Sequence, residues 1–294
     1  MKDRFKGKGL IFIGGAPRSG TTLVQRIINA HNEVYGGPEF DLIPAIIRLK
    51  KSFDCKIQSG RINAFLDKQD ADKIFSEFIK NLLFVKKEKE HVKYLSEKTP
   101  SNILIFNELM DLLPEAKYIV VVRDPRAVVS SMLEVGKKNG RKNLDFTQNV
   151  FASVQYINKC WDSGSKALEK PKTILVQYEN IISSQNNEIQ RIYSQLGLSE
   201  QEIKLSDSKF EYAEDKQSWN KWYTETLLKS DIHSVSLRKW KQFLKPYQIN
   251  YIENSVLKNT ISDIYFKDNL KRSEISTFIA KTEYVIDRIR KKIN

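Results

Sequence analysis

Between a short apolar run and a helical pattern the chain carries Gly15-Ala-Pro-Arg-Ser-Gly-Thr-Thr22, the outline of a phosphate-binding loop. In such a loop, backbone N–H groups and the N-terminus of the following helix converge on an anion. The pattern is not that of a nucleotide triphosphatase, in which a lysine after the second glycine reaches the terminal phosphates. Here the residue after Gly20 is Thr21, and the cation stands inside the loop as Arg18. Metal and disulfide chemistry have little support. Cys55 and Cys160 lie in unrelated contexts, which points to a reducing compartment, and His31, His91 and His233 are too scattered to read as a metal cluster. Lys and Arg number 49 against 36 Asp and Glu, a net +13 that draws phosphate esters, polyanions or acidic membranes without choosing among them.

Placing that loop requires a strand before it and a helix after it. Gly9-Leu-Ile-Phe-Ile13 reads as a buried strand, and Thr21 to Ala30 as a helix with Leu23, Val24, Ile27 and Ile28 on one face. Residues 40–50 and 70–86 have helical patterns, the second with Ile74, Phe78, Leu82 and Val85 in a row. Tyr118-Ile-Val-Val-Val122 and Ile174-Leu-Val-Gln-Tyr178 read as further strands, each followed by a helix, the last ending near Leu196 at Gly197. Strands alternating with helices predict the α/β class, with a parallel central sheet flanked by helices. The expected organisation is one domain over residues 1–294, a core of about 9–198 and a helical cap from about 199 containing Trp219, Trp222, Tyr223 and Trp240. With 40% hydrophobic and 29% charged residues the composition is globular. No run has the length of a membrane span and the first residues lack a secretory apolar block, so the expectation is a cytoplasmic protein.

Three stretches carry a family resemblance. Pro17-Arg-Ser-Gly-Thr-Thr-Leu23 resembles the 5′-phosphosulfate loop of P-loop sulfotransferases that use 3′-phosphoadenosine 5′-phosphosulfate (PAPS) and release 3′,5′-adenosine bisphosphate (PAP). Ala30-His-Asn-Glu-Val34 with Gly37-Pro-Glu-Phe-Asp-Leu-Ile-Pro44 is similar to tyrosylprotein sulfotransferases and related bacterial-type enzymes. Val122-Arg-Asp-Pro-Arg-Ala-Val-Val-Ser-Ser-Met132 resembles the family's 3′-phosphate site. The likeness covers residues 9–180 and, weakly, 234–241.

The resemblance implies a P-loop three-layer fold and a cofactor with two anionic ends, which needs two anion sites. Pro17, Arg18, Ser19, Gly20, Thr21 and Thr22 would hold the 5′-phosphosulfate, and Arg123 with Ser131 the 3′-phosphate, with Arg126 as a helper. Tyr178 corresponds to a position near the adenine, and Arg238 and Lys239 would add contacts from the cap, with Trp240 packed beside the nucleotide. Glu39 corresponds to the catalytic base. Lys98, in Ser96-Glu-Lys-Thr-Pro100, corresponds to the lysine on the bridging oxygen, and with Arg18 it offsets leaving-group charge so that no metal is required.

Asp41 departs from the tyrosylprotein pattern, which has an arginine there; it disfavours an acidic peptide, and the acceptor stays open among hydroxyls and amines of small molecules, saccharides and peptides. Homodimerisation is also open. Three other readings compete. A P-loop kinase would recruit Asp124 for Mg²⁺, but lacks the lysine after Gly20 and has Arg123 at the strand end. A non-catalytic binder of the same nucleotide would follow if Glu39 pointed away from it. A polyanion or nucleic-acid binder would use the net charge and the basic stretch 288–292, although no nucleic-acid fold signature accompanies them, so no nucleic acid is expected as a partner.

Overall fold

The computed structural model describes residues 5–84, 92–138, 144–202, 237–266, 277–283 and 285. Trp219, Trp222, Tyr223, His91, His233, Val85 and the basic stretch 288–292 lie outside the described residues.

Five strands build one sheet: β1 (Leu10–Gly15), β2 (Val34–Gly36), β3 (Tyr94–Lys98), β4 (Lys117–Val122) and β5 (Thr173–Gln177). Their order is β2-β3-β1-β4-β5, and every neighbouring pair is parallel. Because side chains alternate along a strand, each strand feeds two cores. Leu10 and Phe12 of β1 and Tyr118, Val120 and Val122 of β4 enter one core, while Ile11, Ile13, Ile119 and Val121 enter the other. The second core is closed by α1 (Thr21–Asn29) and α8 (Gln185–Leu196), through Val24, Ile27, Ile28, Ile189, Ile192 and Leu196. Between β5 and α8 runs α7 (Tyr178–Ser183). The larger core is closed by α2 (Ile43–Gln58), α3 (Lys68–Phe84), α4 (Phe106–Leu112), α5 (Pro125–Lys138) and α6 (Val150–Leu168). This is the expected α/β architecture of a parallel sheet covered on both faces.

Two short strands were not legible as apolar runs. β2 has three residues, and β3 continues from Leu95 into Ser96, Glu97 and Lys98, which are buried despite their polarity. The helix expected from residue 40 begins at Ile43, because Asp41 takes a left-handed backbone (φ 55°) and Pro44 sits in the first turn. In α3 the expected apolar row faces outward: Ile74, Phe78 and Leu82 are exposed, and the adjacent row of Ala71, Phe75, Ile79 and Leu83 is buried.

Beyond α8, helices Trp240–Phe243 and Pro246–Ser255 lie against α5 and α6, and Trp240, Leu244, Tyr251 and Ile252 join the larger core. Among the described residues no helix is long and apolar enough to cross a membrane.

These two environments are distinguishable by urea denaturation. Ile119→Ala, at a fully buried position between two strands, is expected to cost about 2–5 kcal/mol of stability, whereas Ile74→Ser on the exposed row should stay within about 0.5 kcal/mol of the parent.

Candidate active site

The register of the parallel strands decides which residues meet. Gly15 of β1 lies opposite Val121 of β4, and Val122 lies opposite Gln177 of β5. The chain therefore leaves three adjacent strands at one level, delivering the loop after Gly15, Arg123 and Tyr178 to the same place. Contacts follow from that register. Arg18 Nε donates to Ser131 Oγ at 3.1 Å, Arg123 Nη1 donates to the Arg18 carbonyl at 3.3 Å, and the Arg123 guanidinium lies 4.2 Å from the centre of the Tyr178 ring.

The loop is tight. Gly20 stands at the cap of α1 with φ 100° and offers no side-chain cap, leaving the first N–H groups of the helix directed at whatever lies before it. A Cβ at Gly20 would stand 2.4 Å from the Tyr178 ring, and one at Gly15 would stand 2.5 Å from the Val121 carbonyl. Arg18 itself has φ 73°, a conformation costly for a residue with a side chain and characteristic of sites where the backbone must face a ligand. Ser19 and Thr21 are buried, and Ser19 Oγ has no hydrogen-bond partner among the described residues. Pro17 and Thr22 are half-buried on the rim. A tight glycine loop at a helix N-terminus, an unmatched hydroxyl and two guanidiniums fit a phosphorylated anion.

Lys98 ends β3 directly beside this loop, because Ile13 and Lys98 are register partners. It is 1% exposed, and its Nζ donates to Glu39 Oε1 at 2.5 Å. Burial pulls the Lys98 ammonium below the ordinary lysine range; Arg18 acts in the same direction, while Glu39 and Glu97 oppose it. Burial, and then the charge of Glu39, raise the Asp41 carboxyl.

Glu97 went unnoticed in the sequence. Its carboxylate is buried and accepts from Thr99 Oγ1 at 2.7 Å, from the Phe40 N–H at 3.3 Å and from Asn102 Nδ2. Thr99 Oγ1 in turn accepts from the Asp41 N–H at 3.1 Å. The one available signal was a Glu followed by Lys and Thr-Pro at the end of a strand, where a buried charge needs several donors.

Other candidates are occupied elsewhere. Arg126 grips both carboxylate oxygens of Asp124 at 2.8–3.2 Å, reaches Glu253 at 2.7 Å and lies 4.4 Å from the Trp240 ring centre. It ties the C-terminal helices to the residues after β4, with Trp240 packed on Arg126. The same grip takes up the carboxylate that a kinase reading would assign to Mg²⁺. Lys239 pairs with Glu134 at 3.0 Å, one turn beyond Ser131 on α5, and Arg238 is exposed. Among the described residues no group of three or more His, Cys, Asp and Glu side chains is placed to hold a metal ion.

The model of the sulfotransferase family matches residues 11–202. The chain is an enzyme of the sulfotransferase family. It is 32% identical over 224 residues to a Caenorhabditis briggsae protein named as a candidate protein-tyrosine sulfotransferase, covering 72% of this chain and 78% of that one. It is 30% identical over 195 residues to protein-tyrosine sulfotransferase 2 of Gallus gallus, covering 65% of this chain and 51% of the relative, and so spans about half that relative's length. The fold is shared with the sulfotransferase domain of the Synechococcus PCC 7002 olefin synthase, at a TM-score of 0.56 and 19% identity over 84% of this chain and 92% of that domain. The family match ends near Glu202, before the C-terminal helices, and it contains the loop, Glu39, Lys98, Arg123 and Ser131.

Glu97 makes the stability of this sulfotransferase depend on pH. Burial pushes its carboxyl up to about 7 from an ordinary 4.5, against the opposing hydrogen bonds and the Lys98 charge. The folded chain thus keeps a proton that the unfolded chain has released, and the stability contributed by that proton is full below pH 4.5 and lost as pH rises through about 7. In urea titrations the stability of wild type relative to Glu97→Gln is expected to decline across that window and to level off above it.

Proposed function

We propose that this sulfotransferase moves the sulfuryl group of PAPS to a hydroxyl or amine of its acceptor, with Glu39 as the proton acceptor. The observation that carries the reading is the convergence of two anion-binding groups, Arg18 and Arg123 with Ser131, beside the buried Lys98 ammonium and its half-buried partner Glu39. PAPS supplies a sulfuryl group on a phosphate leaving group. The Gly15–Thr22 loop and Arg18 would hold the 5′ end and Arg123 and Ser131 the 3′-phosphate, with the Tyr178 ring against Arg123. Glu39 would take the acceptor proton as the new bond to sulfur forms, and Lys98 with Arg18 would offset the charge left on the phosphate oxygen of PAP by the electron pair of the broken sulfur–oxygen bond.

The named relatives are protein-tyrosine sulfotransferases, which favours a phenolic hydroxyl on a peptide or protein as the acceptor class. Asp41, two residues from Glu39 and exposed, opposes acidic groups next to that hydroxyl.

PAP is expected to stabilise the protein in the presence of a chelator, by about 2.7 kcal/mol at a hundred times its dissociation constant. Glu39→Ala should keep that stabilisation and lose about 10²–10⁴ in transfer rate from PAPS to a tyrosine peptide or simple phenol. Stabilisation by ATP with Mg²⁺ and none by PAP would contradict the donor; undiminished transfer by the variant would remove Glu39 from the mechanism.

A further inference from the structure

We infer that Glu97 is the positioning residue of this active site: its buried carboxylate fixes the backbone that carries Glu39 and so sets where the base stands relative to Lys98. The inference rests on the role proposed for Glu39. Glu39 is 27% exposed and belongs to the segment between β2 and α2, which has no regular secondary structure. A carboxylate on such a segment does not hold a reacting geometry by itself, since a displacement of about 1 Å costs on the order of a hundredfold in rate. Gln25 Nε2 holds the start of the segment at the Gly37 carbonyl, and a pair of backbone hydrogen bonds restrains it next to Glu39. The Phe40 N–H donates to Glu97 Oε1, and the Asp41 N–H donates to Thr99 Oγ1, whose own proton goes to the same Glu97 oxygen. The second Glu97 oxygen is held by Asn102, in the 3₁₀ helix Pro100–Ile105 that follows β3.

Direction matters here. The Phe40 amide and the Thr99 hydroxyl both donate to one Glu97 oxygen and the Asn102 amide to the other, so removing the carboxyl leaves all three donors unmatched. The left-handed backbone of Asp41 is held by the same network, since its N–H is the one that Thr99 receives. Glu97 and Lys98 are neighbours on one strand and face opposite ways, so a single rigid element presents the ammonium directly to Glu39 and anchors the backbone of Glu39 from behind. Glu97 is 3% exposed and is not placed to touch a substrate; it acts through Phe40 and Thr99.

The experiment compares wild type, Glu97→Ala and Thr99→Val in the full chain above about pH 7, where Glu97 is ionised, by amide hydrogen exchange at Phe40 and Asp41, by PAP affinity and by steady-state transfer from PAPS. In Glu97→Ala the Phe40 and Asp41 amides should exchange about tenfold or more faster and kcat should fall by about tenfold or more, as expected for losing a hydrogen bond to a charged group. The affinity for PAP should stay within about threefold of wild type, because the Gly15–Thr22 loop, Arg123 and Ser131 are untouched. Thr99→Val should speed exchange at Asp41 in the same way, which keeps the inference testable if the Ala variant does not fold. Unchanged exchange at both amides in the folded Ala variant, or at Asp41 in the Val variant, overturns the positioning role, as does an Ala variant whose loss lies in PAP affinity with kcat intact. If wild type itself fails to transfer from PAPS, the proposed function falls while amide exchange still decides whether Glu97 holds the segment.

Discussion

An ammonium group withdrawn from water is tolerated only against fixed negative charge, since an unpaired buried ion carries a penalty of several kcal/mol. Lys98 is the most deeply buried cation among the described residues, and it lies at the carboxyl end of a strand inside the sheet. Its partner Glu39 comes from 59 residues earlier in the chain, out of a segment with no ladder of its own. Much of the local architecture reads as the means of bringing that carboxylate to that ammonium. The three-residue β2 pairs with β3 and carries the chain to the right level, Gly36 admits the close approach of Ser96 and Asn29, and the residues from Phe40 to Asp41 are hung on Glu97 and Thr99. In the proposed reaction the same pair separates the acceptor side of the site from the leaving-group side.

The anion-binding half depends on a second constraint, the parallel direction of the strands. In open α/β sheets ligands gather outside the carboxyl ends of the strands, where loops from neighbouring strands face a common crevice. Arg18, Arg123, Tyr178 and Lys98 each follow or terminate a different strand, and the registers between β3, β1, β4 and β5 put those ends side by side. The positive charge so assembled is local and built, distinct from the diffuse net charge of the surface. Arg126 shows the difference: equally basic and close in sequence to Arg123, it is spent on Asp124, Glu253 and the Trp240 ring, and it fastens the C-terminal helices to the sheet.

Legibility in the sequence followed physical type. β1, β4 and β5 are apolar runs of the kind that a sheet covered on both faces requires, and the fold class followed from them; the grouping of Arg123 with Ser131 came from the family resemblance, and the hydrogen bond from Arg18 to Ser131 has no signal in the sequence. β3 was hidden because two of its five residues, Glu97 and Lys98, are charged, and a buried charge looks like surface until its partners are known. Glu97 was missed for the same reason: its partners are the Phe40 amide, a hydroxyl and an asparagine, none of which leaves a pattern in spacing. In α3, rows one residue apart are both apolar, and only the packed fold tells Phe75 and Ile79 from Ile74 and Phe78. Lys239 and Arg126 illustrate the remaining limit, since the composition of a basic stretch does not say which carboxylate each cation will find.

The central claim is that one nucleotide spans the Gly15–Thr22 loop and the Arg123–Ser131 site. Calorimetric titration of wild type and Arg123→Ala with 3′,5′-adenosine bisphosphate and with adenosine 5′-monophosphate tests it most directly. Arg123→Ala is expected to weaken the bisphosphate strongly and to leave the monophosphate nearly unchanged, so that removing the arginine and removing the 3′-phosphate are not additive. Equal weakening of both ligands, or of neither, would contradict it.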